Sequence, residues 1–436
     1  MRRGLVFILL LSLAARMLFP IDPGWDGSVY LGMGKYIYSG GSSGLWEPIR
    51  PPVWPLILGL VWKAGLPPVL GGKAVLIAFS LVSVALVYLI AEQFFDKKTA
   101  LIASLLFSLA PEYIFSSHTL LAAVPATLFF LLALHQRGRP FICGIFIALA
   151  FLTKFYYGLF LVIFIAWRPR MAVRQLSGFI IPVAPYLILN HVMYGNPVFP
   201  MVSATQVISQ VVGCTVLYPN PWYYYFAKII SENPLFLLAL LGIHRAGRRG
   251  LLILCLALPL IYLMLQPCRT PRYFIFFLPA LSILAAHGMM QLLKGAKLRA
   301  FVLFVSLAIM PIVAYHGLDR PALNPEYYSI RPVGSILTNN PRLSYSYDSP
   351  IGLLYYPLYG ARLADRYSGL LGNTTETMTI YIDTCEGDLS CPPDDPDCPE
   401  ATAHLLQTAR TNFRTVYFQN RSRCFYSVLQ TNRTWA

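Results

Sequence analysis

The chain has 436 residues, 56% of them hydrophobic and 12% charged, with a net charge of +15. Soluble domains average about 25% charged residues, so the composition excludes an ordinary soluble enzyme and indicates an integral membrane protein. The excess of Lys and Arg collects in short connectors between apolar runs, a mark of membrane orientation and not of nucleic-acid binding.

Taken in chain order, apolar segments near 4–19, 73–91, 99–115, 119–134, 140–153, 155–167, 174–193, 234–243, 250–266, 272–291 and 299–316 predict about eleven transmembrane helices. Several are shorter than the ~20 residues of a typical span and must extend into flanking residues or form tight hairpins. Arg2-Arg3, Asp96-Lys97-Lys98, Arg137 with Arg139, Arg168 to Arg174, Arg245 to Arg249 and Lys294 to Arg299 then fall on one side. That bias places the N-terminus in the cytoplasm and, after eleven spans, the C-terminus outside. Segments 140–153 and 155–167 are read as a hairpin. Fused, they would run about 42 Å, beyond a ~30 Å hydrocarbon core, and would throw two basic loops outside. No small-residue cleavage site precedes Pro20, so the first span is expected to be retained.

The outer side carries three distinctive pieces. Loop 20–72 holds Asp22, Asp26, Glu47, Arg50 and Pro51-Pro-Val-Trp-Pro55, and its apolar stretch 51–66 is expected to lie along the interface. Loop 194–232 is aromatic, with Pro221-Trp-Tyr-Tyr-Tyr-Phe226. Tail 317–436 turns polar. Its runs 335–338 and 415–418 read as strands and 401–410 as a helix, so a small extracytoplasmic α/β domain is expected after a membrane domain of residues 1–316. Cys385, Cys391, Cys398 and Cys424 cluster in this tail, whereas Cys143, Cys214, Cys255 and Cys268 are scattered through the membrane part. Four cysteines outside predict two disulfides, in one of three connectivities. Sequons at Asn373, Asn420 and Asn432 also lie in the tail, consistent with an outer location.

Under this topology the outer edge gathers Asp22, Asp26, Glu112, His118, Lys154, Arg269 and Arg272. Ionisable residues at membrane depth usually pair or line a cavity, and outer-side cations run against the orientation bias. Asp26 precedes a helical-looking run to Tyr38, so it either caps that helix or acts as a base. Asp22, before Pro23, suits a turn. Lys154 sits at the hairpin tip, where a lysine snorkelling to headgroups competes with a phosphate ligand. Headgroup anchoring accounts for Arg269; Arg272 lies deeper, beside Tyr273. Glu112 and His118 bracket an outer turn, and for His118 a solvated loop residue is the expected role. No phosphate-binding glycine loop, zinc-protease helix or serine elbow is present.

Five local patterns, in order along residues 1–316, carry a resemblance. These are Gly24-Trp-Asp26-Gly-Ser-Val-Tyr30, Arg50-Pro-Pro-Val-Trp-Pro-Leu56, Ala150-Phe-Leu-Thr-Lys154, Tyr194-Gly-Asn-Pro-Val198 and Pro271-Arg-Tyr-Phe-Ile-Phe-Phe-Leu-Pro279. Together the chain resembles the polytopic GT-C glycosyltransferases, in the branch of protein O-mannosyltransferases and lipid A aminoarabinose transferases. The resemblance implies an α-helical polytopic membrane fold and a polyprenyl- or dolichyl-phosphate-linked sugar as donor. It also implies a hydroxyl acceptor, on protein or glycolipid, at the outer face, and an inverting, hexosyltransferase-type reaction. In that reading Asp26 is the general base, with Asp22 or Glu112 as a second acid. Lys154, Arg269 and Arg272 bind the donor phosphate, and Tyr30, Arg50, His118, Tyr156 and Tyr273 line the substrate. Gly27 stands where many relatives carry a second acid, so a divalent metal is left open. The competing readings are a secondary transporter or lipid flippase, expected to show repeats and broken helices at mid-bilayer, and a non-catalytic membrane scaffold.

Overall fold

The computed structural model describes residues 2–18, 25–210, 220–244 and 250–292, the single residues 295, 304 and 407, and five strand segments of the tail. Within these lie α1 (Arg2–Leu18), α2 (Trp25–Tyr38), α3 (Val53–Lys63), α4 (Pro68–Phe94), α5 (Lys97–Ser108), α6 (Pro111–Ser116), α7 (Ala123–His135) and α8 (Pro140–Phe151). They continue with α9 (Leu159–Trp167), α10 (Ala172–Tyr194), α11 (Phe199–Gln210), α12 (Tyr224–Glu232), α13 (Ala239–His244), α14 (Gly250–Leu265) and α15 (Leu278–Leu292). The strands are β1 (Ser344–Tyr347), β2 (Arg362–Leu363), β3 (Met378–Asp383), β4 (Phe413–Asn420) and β5 (Phe425–Thr431).

The chain divides into two compact units. One comprises residues Met1–Ile21, Pro48–Val53 and Lys73–Arg320; the other Asp22–Glu47, Trp54–Gly72 and Pro321–Ala436. Helix α4, all but its first five residues in the first unit, has 27 residues and the run Pro169–Tyr194 has 26, each long and apolar enough to cross a membrane. A third crossing arises if α12 and the run Pro234–His244, bent by 114° at Asn233, form one broken span. Helices α7, α8, α9, α14 and α15 are apolar but shorter. The structure breaks the apolar run 140–167 where expected, with α8 ending at Phe151 and a 3-10 turn at Phe155–Gly158 leading into α9. Stretch 51–66 is helical as α3, and the aromatic loop 194–232 contributes α11 and α12.

In a hydrocarbon setting helices gain little from burying apolar surface against one another, so close van der Waals fit between small residues carries the packing. α8 against α10 is the most extensive helix pair of the unit. There a Cβ on Gly144 would overlap the Gln175 carbonyl, and one on Gly178 would overlap the Phe141 carbonyl. The connector 95–98 is closed by a carboxylate cap: Asp96 accepts from the backbone N–H groups of Lys98 (2.8 Å) and Thr99 (3.1 Å).

In the second unit, α2 and α3 cross at Gly34 and Gly59, where each added Cβ would run into the other helix's backbone. Gly44 turns the chain back at φ +83°, which lets the Leu45 N–H reach the Gly32 carbonyl at 3.3 Å. The tail strands form a five-stranded mixed sheet of order β2-β1-β3-β5-β4, in which β1 is parallel to β2 and β3, and β5 antiparallel to β3 and β4. Strand β4 contains the expected strand 415–418, with an irregularity between Thr415 and Tyr417. The expected strand 335–338, most of the helix 401–410, the span 299–316, Asp22, and Cys385, Cys391, Cys398 and Cys424 lie outside the described residues.

Gly178→Leu is expected to destabilise the first unit by about 1–3 kcal/mol through overpacking, read as a lowered thermal unfolding midpoint of the detergent-solubilised chain. An unchanged midpoint would show that α8 and α10 do not cross this closely.

Candidate functional site

Lys154 owes its position to the end of α8. The last turn closes with Leu152 N–H to Ala148 O (2.8 Å) and Lys154 N–H to Ala150 O (2.9 Å), while the Thr153 hydroxyl donates to Leu149 O (2.7 Å). Lys154 itself is extended, at φ −157° and ψ 113°, so the helix does not continue through it. The Leu152 carbonyl, freed by that ending, accepts the Val53 N–H at 3.0 Å. This bond pins the Arg50-Pro51-Pro52 segment beside the Lys154 turn. Sequence separation between the two is large, and one main-chain hydrogen bond closes it.

The ammonium of Lys154 lies 5.1 Å from the Tyr156 ring centroid and 5.2 Å from that of Tyr273, within cation–π range. The two rings meet edge to face at 5.4 Å. Arg272 lies over the same Tyr273 ring, 5.7 Å from its centroid. Burial, reinforced by the neighbouring Arg50, pushes the Lys154 pKa down to about 7. The structure therefore brings together Arg50, Lys154, Tyr156, Arg272 and Tyr273, three cations and two aromatic rings.

Arg272 and Tyr273 are positioned by a second break. Thr270 is extended and Pro271 opens a 3-10 turn, Pro271–Phe276. The Thr270 carbonyl accepts the Tyr225 hydroxyl of α12 (3.1 Å). Arg269 donates through Nη1 to the Asn220 carbonyl (2.9 Å) and through Nε and Nη2 to the Met264 carbonyl (3.2 and 2.9 Å), while Asn220 Nδ2 donates to the Arg269 carbonyl (2.8 Å). Its guanidinium is thus a strap that joins segment 220 to the end of α14. Cys268, next to it, is disulfide-bonded, a link the sequence reading had looked for only in the tail. Cys143 and Cys255 are free and buried.

Glu112 and His118 are not solvated. Glu112 is 1% exposed and His118 3%. The turn after α6 packs inward, with Thr119, Leu120, Leu121 and Ala122 buried as well, and carries His118 with it. Glu112 lies 3.6 Å from the Lys228 ammonium, and Glu232 lies 2.6 Å from it. Glu232 also accepts the Glu112 backbone N–H (3.0 Å). Two buried carboxylates share one lysine. Sequence reasoning missed Lys228 and Glu232, although their i,i+4 spacing on one helix was the available signal. It also missed Arg16, a cation at the end of the first apolar run.

In the second unit Asp26 occupies the first turn of α2, one residue inside the helix and half-buried. A carboxylate there complements the helix dipole. Tyr30, buried, follows at i+4 on the same face. Among the described residues no group of three or more His, Cys, Asp or Glu side chains is arranged to take a metal ion.

With the geometry in view, the chain compares with known proteins as follows. Residues 50–193 match the family described as dolichyl-phosphate-mannose-protein mannosyltransferase. Among solved structures, the chain is similar to ArnT from Cupriavidus metallidurans bound to undecaprenyl phosphate, at 14% identity and a TM-score of 0.66, over 97% of each chain. It is similar to the Archaeoglobus fulgidus oligosaccharyltransferase tethered to an acceptor peptide, at 14% identity and a TM-score of 0.55, over 99% of this chain and 74% of that one. The same archaeal enzyme, AglB, in complex with an inhibitory peptide and a dolichol-phosphate, gives 12% identity and a TM-score of 0.56 over 98% and 74%. The fold is that of the GT-C glycosyltransferases. No curated protein matches the chain by sequence. The matched segment 50–193 contains both Arg50 and Lys154, so the family signal and the cation cluster coincide in part.

Removing the cation between two buried carboxylates leaves them uncompensated. Lys228→Met is expected to destabilise the chain by roughly 3–5 kcal/mol, and adding Glu232→Gln should recover part of that loss in thermal unfolding. A single variant as stable as the parent would remove the ion triad from the account.

Proposed function

We propose that the chain is a glycosyltransferase that moves a sugar from a polyprenyl- or dolichyl-phosphate donor to a hydroxyl acceptor at the outer membrane face. The observation that carries the reading is the Lys154 turn, where the lysine lies against the Tyr156 and Tyr273 rings, Arg272 lies over the Tyr273 ring, and Arg50 is near enough to act on the lysine's charge. A glycosyl phosphodiester needs fixed positive charge on its leaving phosphate, and such charge acts more strongly in a water-poor setting than in bulk. Support also comes from the fold, seen elsewhere with undecaprenyl phosphate in ArnT and dolichol-phosphate in AglB. A disulfide at Cys268 suits an oxidising compartment and so favours an outer position for the break that bears Arg272, with the N-terminus cytoplasmic.

The chemistry follows from the residue types. The acceptor oxygen attacks the anomeric carbon, the carbon–oxygen bond to phosphate breaks, and its electron pair leaves with the phosphate. The acceptor proton passes to the Asp26 carboxylate as general base. Attack opposite the leaving group inverts the anomeric centre. Lys154 and Arg272 stabilise the phosphate as it gains charge, with Arg50 beside them; Tyr30, Tyr156 and Tyr273 line the substrate. No metal is assigned a step. The tail, as a small extracytoplasmic domain of residues 317–436, remains part of the proposal, as do its two disulfides.

Asp26→Asn is expected to abolish sugar transfer while leaving binding of the lipid donor, measured by native mass spectrometry, near the parental level. Retained turnover would overturn the role of Asp26. The Lys154 pKa gives a second expectation. An anion binds the charged lysine, so affinity for a polyprenyl-phosphate sugar, a diester of constant charge, should be highest below pH 7 and fall as pH rises through about 7. Lys154→Arg, which stays charged, should flatten that profile. A flat parental profile, or one that rises, would remove Lys154 from donor binding.

A further inference from the structure

The break that bears Arg272 is held from outside by segment 220–225. Asn220 Nδ2 donates to the Arg269 carbonyl at 2.8 Å, and the Tyr225 hydroxyl donates to the next carbonyl, that of Thr270, at 3.1 Å. Two successive carbonyls ahead of Pro271 are thus gripped by one short stretch of chain, Tyr225 lying 45 residues before Thr270.

A turn of this kind depends on such a hold. Pro271 has no N–H to donate, and a 3-10 turn rests on hydrogen bonds of poorer geometry than those of an α-helix. The Thr270 carbonyl accepts the Tyr273 N–H at 3.2 Å, the first bond of the turn, and the Tyr225 hydroxyl takes up its second lone pair. The Tyr225 ring also meets the far end of the turn, edge to face with Phe277 at 6.1 Å between centroids. One side chain therefore touches both ends of a six-residue turn whose second residue is Arg272.

Tyr225 is itself fixed. It is 0% exposed, on a buried face of α12 that Ile229 and Glu232 continue at i+4 and i+7. Glu232 locks that face by accepting the Glu112 N–H (3.0 Å) and pairing with Lys228 (2.6 Å). With no exposed surface, Tyr225 does not touch a substrate, so any part it has in the reaction passes through the turn. Arg272, by contrast, keeps exposed surface.

We propose that Tyr225 is a positioning residue for the donor phosphate: through the Thr270 carbonyl it fixes the turn that carries Arg272 and sets Tyr273 beside the Lys154 ammonium. The proposal rests on the transferase reading and on the phosphate role of Arg272 within it.

The test is a double-variant cycle on the full detergent-solubilised chain, with undecaprenyl phosphate as the probe and its Kd read by native mass spectrometry. Tyr225→Phe keeps the buried ring and should weaken binding about fivefold, a usual loss for one hydrogen bond, with the thermal unfolding midpoint near the parental value. Arg272→Gln should weaken binding at least as much. Adding Tyr225→Phe to Arg272→Gln should then cost nothing further, because the hydroxyl acts through that arginine. Replacing Tyr225 by 4-aminophenylalanine restores a donor on the ring and should restore parental affinity. Three results would overturn the proposal and leave the transferase reading standing: Tyr225→Phe binding as the parent does, losses that multiply in full, or a folded 4-aminophenylalanine chain that binds no better than Tyr225→Phe. A parent that does not bind the lipid, or an Arg272→Gln chain that binds as the parent does, overturns that reading and the proposal with it.

Discussion

A chain that crosses hydrocarbon must satisfy its backbone polar groups within each helix, so reactive side chains are presented where helices break. In this protein nearly every residue with chemical potential sits at such a break. Lys154 follows the end of α8, Arg272 is the second residue of a 3-10 turn before α15, Glu112 the second residue of the six-residue α6, and Asp26 lies in the first turn of α2. The breaks are themselves stabilised by what they free. The Leu152 carbonyl, no longer needed by α8, holds the Val53 N–H, and the Thr270 carbonyl holds the Tyr225 hydroxyl. Cation placement is thus a by-product of backbone accounting at helix ends.

Much of the fold was legible because membrane composition is a strong constraint. The break between 140–153 and 155–167 followed from bilayer thickness together with the sidedness of the basic loops, and the structure ends α8 at Phe151. The interfacial reading of 51–66 rested on proline and tryptophan, and a helix begins at Val53. Lys154 and Arg272 stood out because outer-side cations oppose the orientation bias. What escaped the sequence is partnership. Arg269 and Arg272 are three residues apart in similar surroundings, yet one guanidinium is taken up by the Asn220 and Met264 carbonyls and the other lies over Tyr273. Nothing in spacing or composition separates them, since the difference is made by which carbonyls a distant segment leaves open.

Burial was the second illegible quantity. Glu112 and His118 flank a short polar turn, Ser116-Ser117-His118-Thr119, that reads as solvated by composition. The turn is packed instead, and its polar atoms must find partners or ligands. Glu112 found Lys228, from a helix more than a hundred residues away. Ser116 Oγ, His118 Nε2 and Thr119 Oγ1 are buried without a hydrogen-bond partner, a cost that composition does not reveal.

The two cationic neighbourhoods differ in a way that follows from the chemistry of their residues. A buried lysine can give up its proton, and the fall of the Lys154 pKa to about 7 means its charge is available without being permanent. Flanking tyrosine rings soften the penalty of burial. Arginine has no such exit. Arg16 must stay charged whatever surrounds it, and neutral hydroxyls, carbonyls and one ring face compensate only part of that charge. The arginine's charge is instead spent on structure, holding the end of α1 to Ser80 of α4 and the Ser108 carbonyl at the end of α5.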